Sequence, residues 1–283
     1  MKKSVSATAL IAGIPMLAWQ AVFFLGAAVV LICMTFWRIE NYRLVADFSL
    51  DSWIAILTSE LFLRVYLRTV GYALMAAALA SLVVFPLAYG LVFKMSPRAS
   101  RLALMLLVVP FFTSYLVRSY AWRFMLENDG VVNTLLRALN LPAVEFQGSL
   151  ISVVIGYFAY FLPLVALIQL LGLMNIDRQY IEAANNLGAG RFRTVFTVVV
   201  PLAKGALLAG FVFAFMMAMG DFVAPALVGG GARPTLSVMI VNTIQGQSNF
   251  PRASVIAVIM LVTLIVFLFL VDRLMFKRRG EAG

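Results

Sequence analysis

"DRQYIEAANNLGAGRFRTVFTVVVPL", residues 177–202, is a polar, basic and glycine-containing stretch in a chain of 283 residues that is 63% hydrophobic. Its residues read as a helix, a break and a second helix. Asp177 stands where a helix N-cap is needed, with a side-chain oxygen for the free amides of the first turn. Ile181, Ala184 and Leu187 recur at i, i+3 and i+6 and give the first helix a narrow apolar edge. Gly188 and Gly190 allow a tight turn. Arg191 to Val200 then leads into Pro201 and a long apolar run. A short exposed helix with small residues and one carboxylate, Glu182, suits docking into a groove on another protein.

The rest of the chain sets that stretch in a membrane. Only 12% of residues are charged and the mean hydropathy is +1.00, far outside the range of water-soluble domains. Crossing a bilayer takes roughly 20 apolar residues. Six stretches qualify: about 14–36, 69–93, 102–125, 150–173, 203–228 and 254–275. The fold expected is therefore all-α, a polytopic membrane protein with six transmembrane helices. Lys2 and Lys3 ahead of an apolar run resemble a secretory signal, but the run outlasts the 7–15 residues or so of such a segment, so a retained first span is expected. The connector at 37–68 is read as holding a short surface helix. Residues 229–253 are read as a flexible "GGGARP" turn followed by a polar stretch.

The net charge of +10 follows from 22 Lys and Arg against 12 Asp and Glu. In such a chain the excess reflects loops on the cytoplasmic side, not a nucleic-acid partner. Lys94, Arg98, Arg101, Arg178, Arg191 and Arg193 fall on one side, together with both basic termini. Glu40, Asp47, Asp51, Glu127, Asp129 and Glu145 fall on the other. Both termini and the 177–202 stretch are thus expected in the cytoplasm. The chain has no histidine and one cysteine, Cys33, which speaks against zinc or copper sites, His-based catalysis and an internal disulfide.

Glu182-Ala183-Ala184, Gly188, Val198 and Pro201 reproduce the spacing E-A-A-x3-G-x9-I-x-L-P, with valine in place of isoleucine and of leucine. This resembles the signature loop of the membrane permease subunits of ATP-binding-cassette importers. "PFFTSYLVRSYAWRFML" (110–126), "GVVNTLL" (130–136) and "MGDFVAPALVGGG" (219–231) are similar to the polyamine (spermidine/putrescine) permeases of that family. The resemblance implies a type I importer permease fold: a first span and outer connector (1–64), a permease core (65–275) with its coupling loop at 177–201, and a basic tail (276–283). It implies that Glu182, Ala183, Ala184 and Gly188 form a coupling helix seated in a cleft of an ATPase. The chain has no G-x-x-x-x-G-K-[ST] loop, so ATP and Mg would be bound by a partner ATPase dimer. A second permease subunit, commonly a distinct homologue, and a periplasmic solute-binding protein complete the implied assembly in the lipid bilayer.

Ionisable residues within spans are functional candidates. Asp221 follows Gly210, Ala214 and Met217 on one helical face, a lightly obstructed stripe ending in a carboxylate that suits a passing ammonium group. The same carboxylate could instead cap a helix break. Phe111, Tyr115, Arg118 and Trp122 recur at i, i+4, i+7 and i+11, and aromatic faces there could bind ammonium by cation–π contact. Tyr157 and Tyr160 on the fourth span have the same potential. Rings of this kind also serve as interfacial anchors or core. Arg118 keeps an anionic solute open unless an acid such as Glu127 neutralises it. Within the family, an opine, an amino-acid derivative or complexed iron is the alternative cargo. An intramembrane enzyme lacks a recognisable nucleophile and base here, and a scaffold would not need the 182–188 loop.

Overall fold

The computed structural model describes residues 15–16, 18–40 and 43–276. Lys2, Lys3, the start of the first expected span and the tail from 277 onward lie outside the described residues. The chain divides into two compact units, residues 1–63 with 239–262 and residues 64–238 with 263–283.

In the first unit, α1 (Ala18–Met34) is an apolar helix of 17 residues, shorter than a usual span. It is followed by β1 (Arg38–Glu40) and β2 (Arg43–Val45), an antiparallel pair that places Ile39 opposite Leu44. This hairpin is a small departure from the all-α expectation. Arg38 holds it together on the outside, pairing with Glu40 at 2.9 Å and Asp47 at 3.0 Å. The expected short helix of the connector is α2 (Asp51–Leu57).

In the second unit, helix ends depart from the sequence reading for local reasons. α3 (Glu60–Phe93) starts nine residues before the expected span and runs 34 residues without a break despite Pro86. The expected third span, 102–125, is not one helix. α4 (Pro97–Val108) passes through a 3₁₀ turn at Val109–Phe112, and α5 (Tyr115–Met125) leaves it at a 94° bend. Pro110 has no N–H for the helical ladder, and its carbonyl is taken instead by the Thr113 amide at 3.3 Å and hydroxyl at 2.9 Å. α6 (Val131–Ala138) and α7 (Leu150–Met174) follow, then α8 (Arg178–Asn186). α9 (Arg191–Gly220) stops at Asp221, where the backbone turns extended, so the expected span 203–228 is cut short. A π-helical turn, Ala224–Val228, redirects the chain. Two helices are divided between the units: the segment read as polar and flexible contains α10 (Leu236–Gln247), and α11 (Phe250–Phe276) begins after Asn249, whose side chain accepts the Arg252 amide at 3.1 Å within the first unit.

Among the described residues, four helices are long and apolar enough to cross a membrane: α3, α7, α9 and α11. The bent pair α4–α5 makes a fifth if it counts as one span. α7 and α9 pack through small residues. A Cβ on Gly210 would lie 3.3 Å from Val165 and 3.4 Å from Gln169, and one on Gly156 would lie 2.7 Å from the Cβ of Ala224. Small residues at such crossings let two backbones approach closely where burial in lipid supplies little drive of its own.

Between α5 and α7, Asn133 is fully buried. Its side chain donates to the carbonyls of Glu127 at 3.2 Å and Val144 at 3.0 Å, and accepts from the Val144 amide at 2.9 Å. Replacing it removes all three of these hydrogen bonds and leaves a cavity at a fully buried position, although the Glu127 carbonyl still accepts the Gly130 amide at 2.9 Å. We expect Asn133→Ala to destabilise the protein by about 2–4 kcal/mol. Thermal unfolding of the detergent-purified protein should show a midpoint lowered by several degrees, and an unchanged midpoint would refute this account.

Candidate functional site

α8 is built as its sequence suggests. Asp177 caps it, accepting the Gln179 amide at 3.0 Å. Its far end closes by a Schellman motif: the Gly188 amide donates to Asn185 O at 2.9 Å and the Ala189 amide to Ala184 O at 3.0 Å. That geometry needs a left-handed residue, and Gly188 supplies it at φ +79°. Gly190 has an ordinary φ of −66° and caps the next helix, so only one of the two glycines uses its conformational freedom.

The face of α8 is open. Glu182 and Ala183 are exposed and Ala184 is half-buried. Tyr180 is 57% exposed, Leu187 88% and Phe192 84%, so the loop presents apolar side chains that no described residue covers. The loop is nevertheless tied to the helices around it. Arg178 donates to the Val92 carbonyl at the end of α3 at 3.0 Å, and the Thr194 hydroxyl donates to Gly190 O at 3.2 Å. The helix is thus exposed and hydrogen-bonded to the end of a long apolar helix.

The second cluster forms where α9 breaks. Asp221 is buried. One carboxylate oxygen accepts the Val223 amide at 2.9 Å, while the other accepts the Ala224 amide at 3.1 Å and the Tyr115 hydroxyl at 2.6 Å. The side chain therefore caps the turn that begins there, as one of the two sequence readings had it. Tyr115 stacks on Tyr160 with ring centroids 4.2 Å apart. Asp221, Tyr115 and Tyr160, with Met216, Met217 and Phe222, line an open cleft of about 400 Å³. A carboxylate has about four acceptor positions, so three donors leave one position free.

Other expected members are placed elsewhere. Phe111 lies on the 3₁₀ turn before the bend, so it shares no helix face with Tyr115, Arg118 and Trp122. Trp122 packs against the cluster of Leu126, Phe146 and Val228. Tyr157 is fully buried and its hydroxyl has no hydrogen-bond partner among the described residues. Gly210 and Ala214 are buried, with Gly210 facing α7, so they form a packing surface and not an open stripe. Sequence reasoning missed Met216 and Phe222 as lining residues. It also missed Thr69 and Ser237, which tie the region together. The Thr69 hydroxyl accepts the first amide of α10, that of Leu236, at 2.9 Å. The Ser237 hydroxyl donates to Met219 O at 2.8 Å, a carbonyl near the end of α9.

Along most of its length the chain is similar to known proteins. A family model described as "Binding-protein-dependent transport system inner membrane component" matches residues 54–279. The spermidine/putrescine transport system permease protein PotB of Haemophilus influenzae is 27% identical over 230 residues, covering 79% of this chain and 80% of that protein. The inner membrane ABC transporter permease protein YdcU of Escherichia coli is 26% identical over 274 residues, 91% of this chain and 87% of that protein. In fold, the chain is similar to a chain in the crystal structure of a bacterial alginate ABC transporter in complex with an alginate pentasaccharide-bound periplasmic protein. That superposition has a TM-score of 0.79 at 16% identity, covering 97% of this chain and 95% of the other.

The Schellman end of α8 generates a test of its own. A Cβ at Gly188 would meet no atom within 4 Å, so only the backbone conformation resists substitution there. Gly188→Val should unwind the loop at a cost of roughly 1–2 kcal/mol, whereas Gly188→Asn should be tolerated better. Limited proteolysis at the adjacent Arg191 and Arg193 should rise for the valine variant alone. Equal cleavage of both variants would refute the requirement for a left-handed residue.

Proposed function

We propose, starting from the fact that this chain belongs to the family of binding-protein-dependent transport system inner membrane components, that it forms half of the pore of an ATP-driven importer for a small cationic solute, a polyamine. As a member of this family it is a transport subunit and not an enzyme. On this reading it adopts the type I importer permease fold, with six spans formed by α1, α3, the bent α4–α5 pair, α7, α9 and α11. Both termini and α8 then face the cytoplasm, in keeping with the basic residues on that side.

The observation that carries the proposal is α8 itself, a capped, uncovered helix joined to the ends of the spans. We assign Glu182, Ala183, Ala184 and Gly188 as the coupling element that enters a cleft of an ATPase dimer. That dimer would bind ATP and Mg. A second permease subunit, most simply a distinct homologue, would supply the other half of the pore. A periplasmic solute-binding protein would deliver cargo at the outer face. The core runs over residues 65–275, after a first span and outer connector at 1–64.

The solute assignment draws on the printed function of the spermidine/putrescine relatives and on the chemistry of the cleft. One free carboxylate position on Asp221, the stacked rings of Tyr115 and Tyr160, and the sulfurs of Met216 and Met217 together favour an ammonium group over an anion. Phe111, Tyr157 and Trp122 are weaker members of the same proposed path. One observation favours a second reading. Arg118 has a buried Nε with no hydrogen-bond partner, and it forms no ion pair with Glu127 among the described residues. A carboxylate- or phosphonate-bearing solute would suit it.

Two substitutions test this function. Ala183→Asp places charge and bulk on the docking face. It should leave the permease folded while abolishing association with the ATPase or its stimulation, and normal transport would refute the coupling role. Asp221→Asn removes the charge and keeps the side chain's size and one accepting oxygen, at the loss of one of the two backbone amide bonds of the cap. It should slow polyamine uptake about tenfold or more, with assembly and receptor binding nearly unchanged. Normal uptake per assembled complex, together with lowered thermal stability, would assign Asp221 to structure alone.

A further inference from the structure

An open groove of the second unit lies between the end of α3 and the start of α9, with a volume of about 750 Å³. Its walls are apolar and aromatic, and they include Phe85, Tyr89, Phe192 and Phe196. Two cations, Lys94 and Arg191, also line it. Lys94 directly follows the last residue of α3, and Arg191 is the first residue of α9. The two helices therefore bring both charges to the same end of the groove. Both side chains are exposed, and neither has an ionic partner among the described residues.

The length of the groove follows from helix geometry. Its lining runs from Lys94 back to Leu82 on one wall and from Arg191 on to Val200 on the other. At the rise of an α-helix the α3 wall is roughly 18 Å long, and the α9 wall, π-helical over Val195–Val199, is somewhat shorter. Half of a bilayer's hydrocarbon thickness is about 15 Å. A slot one leaflet deep, apolar along its length and doubly positive at the end where the helices leave the membrane, matches an acyl chain topped by a phosphate. Free phosphate would leave the apolar walls unfilled. A protein helix would fill the walls but leave the paired charges unexplained. Phe192 and Phe196, at 84% and 66% exposed, are costly in water and ordinary beside lipid.

We propose that this groove binds one anionic phospholipid of the cytoplasmic leaflet, with its phosphate held between Lys94 and Arg191 and an acyl chain lying between α3 and α9. This rests on the reading of α8 as the cytoplasmic coupling helix, since Arg191 lies just beyond it. The lipid packs against the first turns of α9, the helix that carries the coupling loop into the membrane. Anionic lipid thereby reinforces the connection between loop and span.

The test uses the assembled complex with Phe196→Trp as a reporter, reconstituted in nanodiscs, with the Phe196 complex as background. Brominated phosphatidylglycerol should quench the new tryptophan at about one-tenth the mole fraction needed for brominated phosphatidylcholine. Lys94→Gln with Arg191→Gln should abolish that preference, and Lys94→Arg with Arg191→Lys should keep it. Excess inorganic phosphate should not compete. Equal quenching by the two lipids overturns the proposal in favour of ordinary annular lipid. No quenching by either shows that a protein segment covers the groove, and competition by phosphate shows a simple anion site. Labelling of a cysteine at Gly190 separates the two readings. Labelling from outside refutes the coupling assignment itself, whereas labelling from inside with equal quenching refutes the lipid site alone.

Discussion

In hydrocarbon, a backbone group released from a helix has no water to turn to and must find a partner within the protein. The Asp221 region obeys that constraint. α9 ends at Gly220, and the next two free amides, of Val223 and Ala224, are taken by the Asp221 carboxylate. The carbonyl of Met219, left behind by the ending helix, is taken by Ser237. The amide of Leu236, at the start of the following helix, is taken by Thr69 of α3. Three polar side chains scattered through the sequence thus allow a long helix to stop, turn and resume at little net cost. Tyr115 joins them through its hydroxyl and links the break in α9 to the bent α4–α5 pair.

That break also creates the chemistry. An unbroken helix through Asp221 would present a lone carboxylate to whatever packed beside it, at high cost. Bending the chain there satisfies the carboxylate with three donors and still leaves it lining an open cleft beside two tyrosine rings. Structural and transport roles need not compete at this residue. The cap positions the group, and the unused acceptor position is what a passing ammonium could meet.

At the other end of α9 the design is the reverse, with rigidity inside and exposure outside. Small residues lock α7 to α9, while α8 between them is closed by an N-cap and a Schellman motif and left uncovered. On the proposed coupling role, movement imposed on α8 would pass into the helix pair. Because the Arg178 side chain reaches the end of α3, a third helix would share the displacement.

The sequence by itself determined the membrane class, through apolar runs that only lipid can accommodate, and the capped helix and turn of residues 177–190, because capping and left-handed turns depend on residues a few positions apart. Asp177, Gly188 and the helix between them stand as their local chemistry dictates. It also offered both roles of Asp221 without choosing between them. The tertiary structure decided where spans end, since Pro86 is carried inside a continuous helix while Pro110 accompanies a 94° bend. It decided which aromatic residues meet: Tyr115 and Tyr160 stack across two helices, whereas Phe111 and Trp122, equally well spaced on paper, are separated by the bend and by core packing. Helical periodicity assumes an unbroken helix. Whether a helix breaks depends on partners such as Ser237 for Met219 and Thr69 for Leu236, which lie 18 and 167 residues away and which no local pattern encodes.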